Sequence, residues 1–301
     1  MNGRPGRTRR KAVTRLRRFV RCTIAAMLPV LALTACSPLR MFNTLLPKDG
    51  GSRLVLRGAA FGPDPRQRLD LYAPTTASTR PWPVIIFIYG GSWKSGLREG
   101  YGFVGRALAA RGFLVAIPDY RLVPDVRYPV FLEDNAAAVH WVVAHAGEYH
   151  ADAQRMIIAG HSAGAYNAAM LAYDPRWLGA DRAAVRGFIG LAGPYDFLPS
   201  KLPDVLAAFG SAADPARTQP MGYVTPGAPP ALLCTGDTDN LVAPHNSDVL
   251  ESRLRAIGVA IERRRYPGVG HVGLITAVAE PLRARAPVLA DIAAFARQYT
   301  Q

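Results

Sequence analysis

Residues 157–169 read IIAGHSAGAYNAA, and the reading of Ser162 within them decides the fold. An apolar run from Ile157 meets Gly160, and small residues at helical spacing follow Gly164. A serine where a strand turns into a helix is a favoured N-cap. The same positions, Gly160-His161-Ser162-Ala163-Gly164, also spell G-x-S-x-G, a tight turn that lifts a serine hydroxyl above a sheet. Three fixed positions in five recur by chance, so the rest of the chain must choose between a cap and a nucleophile.

Outward from this stretch, apolar runs alternate with helical patterns. RLVLRG (53–58) and RLDLYAP (68–74) alternate with period two around FGPDP and predict an antiparallel hairpin. PVIIFIYG (83–90) is continuously apolar, as a strand buried on both faces must be. FLVAIPDY (113–120), RMIIAG (155–160), VRGFIGLAG (185–193), PALLCTG (230–236) and Val259–Tyr266 predict further strands. Helical patterns lie between them, at Phe103–Ala110, Val130–Ala144, Ser162–Ala172 and Ser247–Ile257, and a last one covers Ala286–Tyr299. Residues 193–229 lose the alternation and predict an excursion with some short helix that covers a site. Strands alternating with helices imply an α/β fold, a mostly parallel central sheet flanked by helices and joined by right-handed crossovers. No internal repeat is visible, and one domain from about residue 51 to 301 fits 301 residues that are half hydrophobic.

The net charge of +14 suggests a nucleic-acid binder until it is located. Nine basic residues fall within the first 21 positions, and the remainder carries only about +5, so no nucleic-acid partner is implied. The basic segment runs into CTIAAMLPVLALTAC, uncharged from Cys22 to Cys36. A positive region followed by a short apolar region ending in small residues describes a secretory signal over residues 1–35, and the run is short for a membrane span. Its end, Leu33-Thr34-Ala35-Cys36, resembles a bacterial lipobox, which implies a lipidated Cys36. The expected product is an exported lipoprotein anchored to a membrane and facing the periplasm or cell surface. Residues 36–50, with Pro38 and Pro47, read as a linker. Arg17-Arg18-Phe19-Val20 faintly resembles a twin-arginine signal. With Cys36 lipidated and the signal removed only Cys234 is left, in an apolar run where it reads as a small buried hydrophobe. No Cys/His cluster has metal-ligand spacing, so neither metal nor other cofactor is implied.

Ligands bind beyond the carboxyl ends of strands in open α/β sheets. Just past four predicted strands stand Tyr89-Gly90-Gly91-Ser92-Trp93, His161-Ser162, Asp237 with Asp239, and His271. A serine needs a base to take its proton, the base needs a carboxylate to hold its tautomer, and the tetrahedral oxyanion needs oriented backbone N–H groups. The order serine, acid, histidine, with a glycine turn upstream, supplies each part.

FIYGGSWKSG, PDYRL, AGHSAGA, TGDTDNLV and GVGHVG together resemble the α/β-hydrolase superfamily over roughly residues 50–300. The resemblance is to the carboxylesterase-like branch with an HGGGW loop, related to hormone-sensitive-lipase and feruloyl-esterase relatives. It implies Ser162 as nucleophile, His271 as base and Asp239 as orienting acid, the last through G-x-x-D-x-x-V at Gly236–Val242. It implies an oxyanion hole of main-chain N–H groups at Gly91, Ser92 and Ala163. Two positions depart from the motif, Tyr89 for its histidine and Ser92 for its third glycine, which changes how the loop is anchored. From the residues alone Asp237 and Asp239 both compete for the acid. Asp237 reads as a turn residue, and Asp239 as tucked under the histidine by burial of Leu241-Val242. Asp119-Tyr120-Arg121 reads as a structural hydrogen-bond cluster, His161 as packing for the elbow, and Trp93, Tyr166, Trp177 and Tyr195 as core or pocket lining.

The expected activity is hydrolysis of small carboxylic esters, preferably short-chain ones, through an acyl-enzyme. An amidase or formamidase with the same triad, and a non-catalytic exported binding protein on the hydrolase fold, are the alternatives. Oligomeric state is not legible in the sequence.

Overall fold

The apolar runs assemble into one sheet because residues such as Val84–Ile88 and Leu114–Ile117 have no polar face to turn outward. A computed structural model describes residues 38–301. The strands are β1 (Ser52–Ala60), β2 (Arg68–Pro74), β3 (Trp82–Ile88), β4 (Leu114–Pro118), β5 (Ala151–His161), β6 (Val185–Leu191), β7 (Ala231–Gly236) and β8 (Ile261–Tyr266). The helices are α1 (Pro38–Leu45), α2 (Gly102–Ala109), α3 (Val130–His145), α4 (Ala163–Tyr173), α5 (Pro175–Leu178), α6 (Pro203–Phe209), α7 (His245–Ala256), α8 (His271–Thr276) and α9 (Val288–Tyr299). The eight-stranded sheet has the order β1-β2-β4-β3-β5-β6-β7-β8. β2 is antiparallel to both β1 and β4, and every pair from β4 to β8 is parallel. This is the α/β-hydrolase arrangement, with the expected antiparallel hairpin at its N-terminal edge.

The chain reverses its direction of travel across the sheet between β3 and β5, and Ile88 at the end of β3 pairs with Gly160 near the end of β5. The glycine loop and the serine turn therefore leave neighbouring strands side by side, at the switch point where such sheets bind ligands.

The expected linker is partly helical. Leu39 and Phe42 of Pro38–Leu45, with Leu46 just past its end, pack on the core, and the Phe42 ring stands edge-on to Phe103 at 5.4 Å. That spacing at i, i+3 and i+7 is a helical stripe, which the flanking prolines disguise. β5 also begins four residues earlier than RMIIAG suggests, because Ala151 and Asp152 pair with Trp82 and Pro83. Residues 1–35 and Cys36 lie outside the described residues.

The excursion of residues 193–229 carries α6 and short 3-10 turns at Pro215–Thr218 and Pro220–Tyr223. Its Phe197 and Phe209 pack on Trp93 of the glycine loop, at 6.0 and 4.8 Å, and on Tyr166 of α4, at 5.5 and 5.3 Å. The excursion is thus a cover seated on the switch point by aromatic contacts.

Candidate active site

Ser162 sits between β5 and α4 with φ 56° and ψ −127°, a conformation that costs a non-glycine residue roughly 1–3 kcal/mol. The turn is tight enough to demand glycine on both sides. A Cβ on Gly164 would lie 2.1 Å from the Ile88 carbonyl oxygen, and one on Gly160 would lie 2.3 Å from the Gly164 carbonyl oxygen. Ser162 N–H donates to the Leu191 carbonyl at 2.8 Å, while Ala165 N–H donates to the Ser162 carbonyl at 2.8 Å. A mere N-cap serine bonds the helix with its side chain, and Ser162 makes no such capping bond. This geometry is a strained elbow with a half-buried hydroxyl-bearing residue at its tip.

The loops after β7 and β8 are tied together. Thr238 N–H donates to the Val269 carbonyl at 3.2 Å, and Gly268 N–H donates to Asp237 Oδ1 at 2.7 Å. Within that frame His271 Nδ1–H donates to Asp239 Oδ2 at 2.8 Å. The Asp239 side chain is 0% exposed and that of His271 9%. Asp239 Oδ1 accepts from the N–H groups of Leu241 and Val242, both at 2.9 Å. The sequence argument for Asp239 relied on burial of Leu241 and Val242, and that reason is wrong: Leu241 is 71% exposed. The turn's two backbone donors hold the carboxylate, and the apolar side chains do not. Asp237 is exposed and braces the neighbouring loop.

His161 lies between the elbow and the histidine loop. Its ring stands 4.8 Å from that of His271, and its Nε2–H donates to the His271 carbonyl at 3.3 Å. Burial, with His271 beside it, pushes the His161 imidazole down to about 3, so the ring is neutral over the ordinary pH range. Its Nδ1 is buried without a hydrogen-bond partner. Its packing role agrees with the sequence reading.

The glycine loop is anchored by groups that the sequence only hinted at. Tyr89, standing in place of the motif's histidine, is fully buried and stacks on Tyr120 at 4.9 Å. Its hydroxyl donates to Asp119 Oδ1 at 2.8 Å and accepts from Arg66 Nη2 at 3.0 Å. Asp119 is also held by the backbone N–H of Arg98, at 2.6 Å, and by its guanidinium. Burial raises the Asp119 carboxyl while Arg98 opposes the rise, and burial with Asp119 alongside holds the Tyr89 phenol well above its usual value. The triplet read as a structural cluster belongs to this network, where Arg121 instead pairs with the buried Asp134 at 2.7 Å. Asp70 completes the set by accepting from Arg98 Nε at 2.9 Å. The network's signal was present as PDYRL, but Arg66 and Arg98 had none.

The loop above this anchor is closed by Lys94 and Ser95 N–H groups donating to the Gly91 carbonyl at 3.1 and 3.0 Å. Gly91 adopts φ 138°, with Ser92 and Trp93 at 52° and 58°. A Cβ on Gly91 would meet the Ser95 carbonyl oxygen at 2.1 Å, so this glycine is required even though the third one is replaced. Ala163 begins α4, where helix N–H groups lack intrahelical acceptors. Trp93 Nε1–H donates to Asn167 Oδ1 at 3.0 Å, which fixes the indole in the core, and Tyr166 and Tyr195 are fully buried while Trp177 is half-buried. Cys234 is buried, and that burial pushes its thiol up to about 12, which leaves it inert. Among the described residues no group of three or more His, Cys, Asp or Glu is placed to hold a metal ion.

Comparison with known proteins gives this geometry its relatives. Residues 69–254 match the family model described as BD-FAE. Esterase LipC of Mycobacterium tuberculosis is 30% identical over 240 residues, an alignment covering 71% of this chain and 59% of LipC. The isoprenylcysteine alpha-carbonyl methylesterase ICME of Arabidopsis thaliana is 27% identical, over 85% of this chain and 66% of that protein. The chain spans between about a third and two thirds of the length of the first curated relatives it matches. Among solved structures, esterase B from Lactobacillus rhamnosis superposes with a TM-score of 0.74 at 22% identity, covering 92% of this chain and 96% of that one.

Proposed function

The chain belongs to the BD-FAE family, within the α/β-hydrolase superfamily, and from that premise we propose that it is a serine carboxylesterase. One observation supports the proposal: Asp239 and His271 are bonded at 2.8 Å in the loops after β7 and β8, and His161, next to Ser162 in the strained elbow, reaches the His271 carbonyl at 3.3 Å. A carboxylate only accepts, so Asp239 keeps the proton of His271 on Nδ1 and leaves Nε2 as the base. In this reading Nε2 takes the Ser162 proton as the hydroxyl oxygen attacks the ester carbonyl. Main-chain N–H groups of Gly91, Ser92 and Ala163 stabilise the oxyanion. The alcohol leaves with the proton from His271, and water attacks the acyl-Ser162 ester in the second half. The esterase names of LipC and ICME support the ester chemistry.

The acyl group is short in this proposal. Trp93, Tyr166, Phe197 and Phe209 pack at 4.8 to 6.0 Å and fill the space between the loop, the elbow helix and the cover. A phosphonate that labels the wild type and spares Ser162→Ala tests the nucleophile, and normal labelling of the variant refutes it. A p-nitrophenyl series decides the acyl length: acetyl to butyryl esters are favoured, and efficiency climbing from C4 to C12 refutes the short site. We also propose that residues 51–301 form the hydrolase domain, that residues 1–35 direct export and that Cys36 carries the lipid anchor. Intact mass of membrane-extracted protein then shows acyl groups on an N-terminal Cys36, and an intact Met1 refutes it.

A further inference from the structure

We propose that the carboxyl end of the sheet, the face that bears Ser162, lies against a lipid surface and takes its esters from there. The docking stands on the chain's path, its exposed side chains and the Cys36 anchor proposed above, and the origin of the substrate rests on the esterase reading.

The first observation is where the described chain starts. β4 ends at Pro118, and the adjoining Asp119 holds Arg98 of the 3-10 turn Arg98–Tyr101 at the carboxyl end of the sheet. α1 packs on this turn: Arg40 pairs with Glu99 at 3.1 Å, and Asn43 Nδ2 donates to the Glu99 carbonyl at 2.7 Å. The chain then descends past Gly51, which lies against Ala110 at the far end of α2. β1 therefore starts at the amino end, with Ser52 opposite Pro74. Residue 38 is thus at the same end as Ser162. Cys36 is two residues ahead of it, and two residues reach at most about 7 Å. A lipid on Cys36 holds that end of the domain, and not the other, next to the membrane.

The second observation is independent of Cys36. The large hydrophobic side chains exposed among the described residues are Met41, Leu45, Leu202, Leu206, Leu241 and Val272, at 46, 77, 61, 52, 71 and 57%. Met41 and Leu45 lie on α1, and the other four follow the carboxyl ends of β6, β7 and β8. Leu202 and Leu206 stand one helical turn apart at the start of the cover helix α6. Apart from Leu45, which lies further along α1 toward the amino end, these residues stand at the end that bears Ser162, and exposed apolar residues on one face mark a contact surface. The amphiphile held in that surface meets Ser162 without crossing water.

The test uses the full chain, purified from membranes and reconstituted in phosphatidylcholine vesicles containing brominated phosphatidylcholine. A polarity-sensitive thiol probe is placed at Met41→Cys, at Leu206→Cys and, at the amino end of the sheet, at Thr76→Cys. The expected result is flotation with the vesicles and bromine quenching at Met41→Cys and Leu206→Cys at least about threefold above that at Thr76→Cys. Equal quenching at the three positions, failure to float, or a probe at Leu206→Cys shielded in detergent by a second copy of the chain each overturns the proposal. Leu202→Gln/Leu206→Gln should leave turnover of soluble p-nitrophenyl acetate unchanged and lower turnover of a vesicle-embedded ester by roughly tenfold. Equal effects on both substrates overturn the substrate route. Loss of p-nitrophenyl acetate turnover in wild-type protein that still floats and quenches refutes the esterase reading instead, so the two failures are distinct.

Discussion

Replacing Asp239 by asparagine changes one atom in the pair on which the proposed chemistry depends. Asp239 Oδ1 accepts from Leu241 and Val242 N–H at 2.9 Å each, and the asparagine carbonyl oxygen can keep both bonds. The amide NH2 then replaces Oδ2, facing the Nδ1–H that now donates at 2.8 Å. Two donors cannot face each other in a site where the acid's side chain is 0% exposed, so the imidazole shifts its proton to Nε2. Nε2 then has no lone pair for Ser162, and kcat falls by roughly 10⁴-fold, equivalent to about 5.5 kcal/mol of transition-state stabilisation. The fold survives, with loss of about 1 kcal/mol and a Tm lower by about 2–4 °C. Asp237→Asn is the control. Its exposed carboxylate accepts only from Gly268 N–H at 2.7 Å, a bond asparagine retains, so turnover falls about tenfold or less. Initial rates on p-nitrophenyl acetate at one pH, beside thermal melts, compare the two. A dead Asp237→Asn with an active Asp239→Asn would falsify the assignment and the tautomer argument together.

Ser162→Ala removes the proposed nucleophile and relieves the strained backbone only slightly, so it folds normally while turnover drops on the order of 10⁶-fold. Gly164→Ala drives a Cβ into the Ile88 carbonyl, 2.1 Å away, and at a cost of at least about 2 kcal/mol should lower Tm by some 4–8 °C in a melt; an unchanged Tm contradicts the elbow packing. His161, neutral down to about 3, leaves the native state without a proton that the unfolded chain binds below about 6.5. Its contribution is whole above pH 6.5 and is lost as pH falls toward 3, by up to about 1.4 kcal/mol per unit, so urea melts of His161→Gln should show a shallower decline with acid than the wild type. Tyr89→Phe deprives Asp119 and Arg66 of the buried phenol that bonds them at 2.8 and 3.0 Å, costing about 1–3 kcal/mol and lowering kcat more than it raises KM. A variant as stable and active as wild type would show that the anchor is redundant.

The sequence by itself determined whatever depends on local pattern. Val84–Ile88 and Leu114–Ile117 have no polar side, so they had to be interior strands, and the parallel order of the sheet followed from the helices between them. Gly160 and Gly164 around Ser162 were legible because the elbow's close contacts, with β3 and within the turn itself, tolerate only glycine there. Groups that meet across the fold were decided by tertiary structure. The motif spacing favoured Asp239 over Asp237 but for the wrong physical reason, and it took a turn at Leu241-Val242, with Leu241 left in water, to hold that carboxylate against His271, 32 residues further along. Tyr89 reads as an apolar strand residue, yet its hydroxyl meets Asp119 and Arg66, at separations of 30 and 23 residues. α1 was hidden because its stripe becomes a helix only where Phe103 and the Arg98–Tyr101 turn receive it. Periodicity records which side of a segment is buried. A hydrogen bond needs a partner at a fixed distance and angle, and only the folded path of the chain supplies one.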